Sequence, residues 1–131
     1  YYPEHWSPQI WQSDAEKMVE TGLTWVRIGE FAWSRLEPQP GQYDWTWLDR
    51  AINILGTVGL QVVLGTPTAT PPRWLVDQEP DMLAVDIEGR VRKFGARRHY
   101  CFSHIGYRQH CARIVTELAK RYGSNRYIAA W

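Results

Sequence analysis

Residues 21–30 read TGLTWVRIGE: a glycine placed to stop a helix, then at once a β-rich run. The same join recurs at Val58-Gly59-Leu60, ahead of Gln61-Val62-Val63-Leu64. A third run, Tyr127-Ile128-Ala129-Ala130-Trp131, follows Gly123. None of the three alternates strictly with polar residues, which is the pattern of parallel strands covered on both faces. A further strand is expected to end near Tyr1-Tyr2. Helix, glycine, strand, loop, helix is the rhythm of repeated βαβ units.

Three stretches carry helical periodicity. Ser7-Pro8 reads as N-cap and first-turn proline of a helix with Trp11, Ala15 and Met18 on one face and Gly22 at its end. Asp44 reads as the cap of a second helix bearing Leu48, Ala51, Ile52 and Leu55, stopped by Gly59. Ser103 reads as the cap of a third, with Tyr107, Cys111, Ile114, Val115 and Leu118 in one stripe. The turns from helix to strand are short, whereas the strand-to-helix loops, Gly29 to Tyr43 and Gly65 to Phe102, are long. That asymmetry belongs to barrels of eight βα units, whose sites are built on the loops that follow the strands. A doubly wound sheet alternates too, but no GxGxxG or phosphate-cradling GxxxxGK follows any of the runs.

The expected fold is therefore α/β: the N-terminal half, about four βα units, of a (β/α)8 TIM barrel. Met82 to Ile87 and Arg90 to Phe94, around Glu88-Gly89, read as a β-hairpin inserted after the third strand. Residues 1–131 read as one partial barrel domain cut at both ends, since the chain opens on Tyr1 rather than Met and closes inside a strand at Trp131. Half a barrel would leave two long sheet edges unpaired.

Fifteen basic and 14 acidic residues leave a formal charge of +1, without the clustered excess that a nucleic-acid or membrane surface requires. No apolar run approaches the ~20 residues of a membrane helix. Two cysteines make no disulfide framework and suit a reducing, cytoplasmic compartment. The unusual feature is eight Trp and seven Tyr, which serve either a large core or a binding cleft. The loops after the strands gather Glu4, His5 and Trp6; Glu30, Phe31, Trp33 and Arg35; and Arg97, Arg98, His99 and Tyr100. Carboxylates, guanidinium groups and tryptophans together suit a polyhydroxylated ligand, a sugar, whose hydroxyls take charged partners and whose C–H faces pack on rings.

Four segments resemble the glycoside hydrolase family 42 β-galactosidases: YYPEHW at residues 1–6, RIGEFAWSRLEPQPGQYDWTWLD at 27–49, TPTATPPRWL at 66–75 and GARRHYCFS at 95–103. The resemblance implies a retaining hydrolase of terminal non-reducing β-D-galactosides on a TIM barrel. It also implies a homotrimer that needs no cofactor for its chemistry. Retaining chemistry takes two carboxylates about 5–5.5 Å apart. In the family these are a Glu of an Asn-Glu pair at the end of the fourth strand and a second Glu after the seventh. Both are expected after Trp131, so no catalytic residue is assigned in this chain, and the fragment alone is expected to be inactive. Arg97 matches the family arginine that binds galactose, with Arg98 its neighbour. Glu30 reads as a buried carboxylate that orients Arg97 or another site group. Glu37, before Pro38, reads as a loop anchor. His5 and His99 either bond sugar or serve structure. His99, Cys101 and His104 form an H-x-C-x-x-H spacing, and some family members hold a structural zinc through a cysteine matching Cys101, with three more cysteines beyond the fourth strand.

Two other readings stand beside this one: a non-catalytic sugar-binding or interaction module derived from such a barrel, and a related two-glutamate barrel glycosidase of different sugar specificity. On the favoured reading, purified residues 1–131 turn over no nitrophenyl β-galactoside, and measurable turnover free of contaminating enzyme would contradict it. In the complete enzyme Arg97→Ala is expected to lose about 2–4 kcal/mol of transition-state binding, measured as kcat/KM.

Overall fold

A computed structural model describes residues 1–96 and 98–131. Its elements are α1 (Trp11–Glu20), β1 (Trp25–Ile28), α2 (Trp33–Leu36), α3 (Thr46–Thr57), β2 (Gln61–Leu64), α4 (Arg73–Gln78), α5 (Ile105–Tyr122) and β3 (Ile128–Ala130). Short 3-10 turns lie at Pro3–His5, Pro67–Ala69 and Pro80–Met82. The strands form one parallel sheet in the order β1-β2-β3. Trp25 to Ile28 run in register beside Gln61 to Leu64, and β3 joins β2 through Val62–Ile128 and, after a register shift, Val63–Ala130.

The two matching joins in the sequence are the same physical device. At the end of α1 the Leu23 N–H reaches back to the Met18 carbonyl, and at the end of α3 the Leu60 N–H reaches back to Leu55. These six-residue closures are Schellman ends. Gly22 (φ +86°) and Gly59 (φ +100°) take the left-handed backbone that such ends demand. Gly123 does not repeat the device. Its φ is −60°, and the chain turns instead at Asn125, whose side chain accepts from the Tyr127 N–H at 2.9 Å.

Several sequence expectations are corrected. The first helix begins at Trp11, not at Ser7-Pro8, because Ser7 offers its carbonyl to the Ile10 N–H and no side chain caps the helix. The cap of α5 is His104 rather than Ser103: its Nδ1 accepts from the Tyr107 N–H at 3.1 Å. No strand forms at Tyr1-Tyr2 among the described residues. One bond reaches β1 from there, the Tyr1 backbone nitrogen donating to the Arg27 carbonyl at 3.0 Å, and Pro3 then turns the chain away. Around Glu88-Gly89 the antiparallel pairing is confined to isolated bridges, Val85–Val91 and, farther down, Leu83–Tyr100.

The sheet is covered on one face, not on both. Val26, Ile28, Val62 and Leu64 are buried against Trp11 and Ala15 of α1, Leu48, Ile52 and Leu55 of α3, and Ile114 and Leu118 of α5. Trp25, 52% exposed, Arg27 and Gln61 point the other way, into the open. Trp11, Trp33 and Trp47 are core, whereas Trp6 and Trp131 stay about half exposed or more at the ends of the chain. Among the described residues no helix is long and apolar enough to cross a membrane.

Helix α3 lies so close to Tyr127 that a Cβ on Gly56 would overlap the tyrosine ring. In an open helix Gly→Ala stabilises by about 1 kcal/mol. Here Gly56→Ala is expected to destabilise by about 1–3 kcal/mol, as overpacking does, with denaturant unfolding as the measurement.

Candidate functional site

The loops at the C-terminal ends of the strands are tied to one another. Glu30, two residues past β1, takes the Arg27 guanidinium at 2.6 Å and the Tyr2 hydroxyl at 3.3 Å. The Tyr2 ring stacks on His5 and on Phe31, with centroids 5.4 and 5.8 Å apart. Thr70 donates its hydroxyl to the Phe31 carbonyl at 2.8 Å, which joins the loop after β1 to the loop after β2. A recess of about 420 Å³ opens here, and Arg27, Glu30, Phe31, Thr66, Thr68 and Trp131 are among the residues of its wall. A carboxylate, a guanidinium, two hydroxyls and two aromatic faces are the equipment for binding a sugar.

A larger cavity, about 690 Å³, is lined from the turn at 31–34, the segment 69–71 and residues 94–96 and 98–100. Phe31 and Phe94 supply ring surface to it. Arg98, also in its wall, holds a φ of +55°, a backbone that side-chain-bearing residues adopt at a cost of about 1–2 kcal/mol. His99 is 4% exposed. Its Nδ1 lies 2.7 Å from the Ala96 carbonyl, which puts the ring proton on Nδ1 and leaves Nε2 an acceptor. That Nε2 is buried and has no partner among the described residues. The two Glu4 carboxylate oxygens share this condition, although the Glu4 carbonyl accepts from Arg35 at 2.9 Å.

One buried glutamate ties α2, α4 and α5 together. Glu37 has no solvent exposure. Its Oε1 accepts from the Gly41 N–H at 2.7 Å and from Arg113 at 2.5 Å; its Oε2 accepts from Trp33 Nε1 at 2.9 Å and from Arg113 at 3.2 Å. Its backbone carbonyl takes Trp74 Nε1 at 2.9 Å. Arg113 also donates to the Tyr43 hydroxyl at 2.6 Å and approaches His110 Nδ1 at 3.1 Å. Burial, and then the Arg113 charge, push the His110 imidazole below its usual range, so the neutral ring accepts from Arg113. Glu37 is thus the loop anchor expected from the sequence. Arg113 was not expected: nothing local marks it, because its partner lies 76 residues away.

Of the other expected site residues, Arg97 lies outside the described residues. Glu30 is held by Arg27, a strand residue whose charge inside a β-rich run was the available signal. Cys101 is a half-buried free thiol. Among the described residues His99, Cys101 and His104 do not converge: the His99 Nδ1 is engaged by Ala96 and the His104 Nδ1 by the helix cap. The group that does converge, within 4.8 Å, is Glu79, Asp81 and His104. With Nδ1 accepting from Tyr107, His104 keeps its proton on Nε2, which faces Asp81 at 3.2 Å. This donor set fits a hydrogen-bonded helix cap and does not fit a bound zinc.

The glycoside hydrolase family 42 profile described as β-galactosidase matches residues 1–131, the whole chain. The chain belongs to the glycoside hydrolase family 42 β-galactosidases. It is 60% identical over 131 residues to a β-galactosidase of Thermus thermophilus and 48% identical to one of Halorubrum lacusprofundi. Those matches cover 100% of this chain and 20% and 19% of the two relatives. Among solved structures, the β-galactosidase of the psychrophilic Marinomonas ef1 superimposes with a TM-score of 0.97 at 55% identity, covering 100% of this chain and 20% of that one. The chain therefore spans about a fifth of the length of the family members it matches. The family's catalytic domain is a TIM barrel, in keeping with the parallel sheet and its helices.

Removing the charge of Glu37 leaves Arg113 without its counter-ion beside an apolar core. Glu37→Gln is expected to cost about 3 kcal/mol of stability, read from denaturant unfolding, with most of the loss absent in the Arg113→Met, Glu37→Gln pair.

Proposed function

We propose that residues 1–131 form the first βα units, about half, of the catalytic barrel of a retaining β-galactosidase that hydrolyses terminal non-reducing β-D-galactosides. The observation that carries this reading is the recess at the strand ends, where Arg27, Glu30 and Trp131 meet in a chain so close in sequence to β-galactosidases. The open sheet face supports the placement within a longer barrel. Trp25, Arg27 and Gln61 alternate with the buried strand residues and have no cover of their own, as expected of side chains that fill a barrel interior in layers.

On this reading the acid/base and nucleophile glutamates come from later strands, and this segment supplies binding and positioning. Arg97 holds the galactosyl unit. Glu30, fixed by Arg27 and Tyr2, presents a carboxylate at the mouth and orients its neighbours. The segment alone does no chemistry, because binding groups without an acid and a nucleophile leave the glycosidic bond intact. The whole protein acts as a cytoplasmic homotrimer and needs no cofactor for the reaction. A structural zinc would draw on Cys101 together with cysteines outside this segment.

The test is an assay of the complete polypeptide containing residues 1–131 on nitrophenyl β-galactoside, β-glucoside and α-arabinoside. The β-galactoside is expected to give the highest kcat/KM, with the β-anomer of galactose released first. A preference for glucoside would favour the related glycosidase of other specificity. No turnover on any of the three, with galactose still bound, would favour the non-catalytic module.

A further inference from the structure

We infer that Tyr107 of α5, which lines neither recess, is a positioning residue for the site. Its one side chain sets both the turn that walls the two recesses and the Tyr100 ring that walls the larger one. The inference rests on the β-galactosidase reading and adds a residue to the machinery of that site.

The turn Pro67–Ala69 follows β2. Thr68 and Ala69 belong to the wall of the smaller recess, and Ala69 and Thr70 to that of the larger. The turn's own closing bond, from the Thr70 N–H to the Pro67 carbonyl, is long at 3.3 Å. Two side-chain bonds to other parts of the chain make up the difference. Thr70 donates its hydroxyl to the Phe31 carbonyl at 2.8 Å, and Tyr107 donates its hydroxyl to the Thr68 carbonyl at 2.8 Å. The same tyrosine stacks its ring on Tyr100, with centroids 4.5 Å and planes 28° apart. Tyr107 is therefore a post between two stretches of wall that lie far apart in sequence.

The post is itself fixed from behind. Burial, and after it the Cys111 thiol one turn on, push the Tyr107 hydroxyl far above its ordinary range, so its proton stays in place for Thr68. The backbone of Tyr107 is set by the cap of α5, where its N–H donates to His104 Nδ1 at 3.1 Å. His104 is braced in turn by Asp81 at 3.2 Å. A small misplacement of substrate against the reacting groups is costly in rate, so a residue that fixes two walls at once acts on the reaction without touching the sugar. Tyr122, the last residue of α5, supplies the comparison. It is as buried as Tyr107, but it spends its hydroxyl on Asp49 of α3 at 2.8 Å, at the other end of the helix.

The experiment measures kcat and KM on nitrophenyl β-galactoside, together with the melting temperature, for the complete polypeptide and its Tyr107→Phe and Tyr122→Phe variants. Each variant deletes one buried hydroxyl from α5, so a purely structural role moves both alike. Tyr107→Phe is expected to lose about tenfold in kcat/KM, with the loss carried by kcat, while Tyr122→Phe keeps the kinetics of the parent. If either variant melts too early to assay, His104→Ala and His104→Asn take its place. Alanine removes the cap and is expected to lower kcat; asparagine, which caps helices, restores it. In an active parent, equal kinetic effects within either pair, or a loss confined to KM, overturn the inference. A parent inactive on the galactoside overturns the β-galactosidase reading instead, and this inference with it.

Discussion

A carboxylate with no access to water has to find donors for both oxygens, and Glu37 finds them on three separate parts of the chain. Trp33 lies in α2, Gly41 in the following loop, and Arg113, 76 residues beyond Glu37, in α5. Trp74 of α4 adds a bond to its carbonyl. Four segments that share no sheet hydrogen bonds are thereby locked to one point. The pair is not an exposed ion pair of negligible worth: the carboxylate is fully buried, and loss of Arg113 would strand it. α2 and α4 lie in the loops after β1 and β2, so this one residue ties those two loops to α5.

The sheet tells a complementary story. Its helix-facing side is a finished core, with Leu48, Leu64 and Ile114 without measurable exposure. Its other side carries a tryptophan, an arginine and a glutamine with nothing over them among the described residues. An apolar indole more than half exposed on a sheet face would be an odd choice for a final surface. It is an ordinary choice for the inside of a barrel. Arg27 shows the same economy of use: it belongs to the open face and at the same time fixes Glu30 at the mouth, so interior packing and the site share a residue.

What was legible in the sequence is what is local. The stripe Leu48, Ala51, Ile52, Leu55 and the glycines at 22 and 59 are set by neighbours within one or two turns, and they are where the reading placed them. The cap of α5 was missed by one residue, since Ser103 and His104 are both able to cap and only the position of the imidazole Nδ1 separates them. A strand is defined by its partners, and of the strand expected to end near Tyr1-Tyr2 one bond to β1 is present, from Tyr1 to the Arg27 carbonyl. The two-sided burial expected of the strands was a statement about what lies across the sheet, which this stretch of chain does not contain. Arg113 was invisible for the same reason, its partner being far away in sequence. The motif resemblance reached further than periodicity because it carries long-range information of its own, and it identified the family before any contact was known.

The central claim is that the open sheet face is the interior of a larger barrel. The most direct measurement is an experimental structure of the complete polypeptide containing residues 1–131. The account expects Trp25, Arg27 and Gln61 to be enclosed by later strands, with β3 paired along its free edge. Trp25, Arg27 and Gln61 left facing solvent in that structure, with β3 still an edge strand, would contradict it.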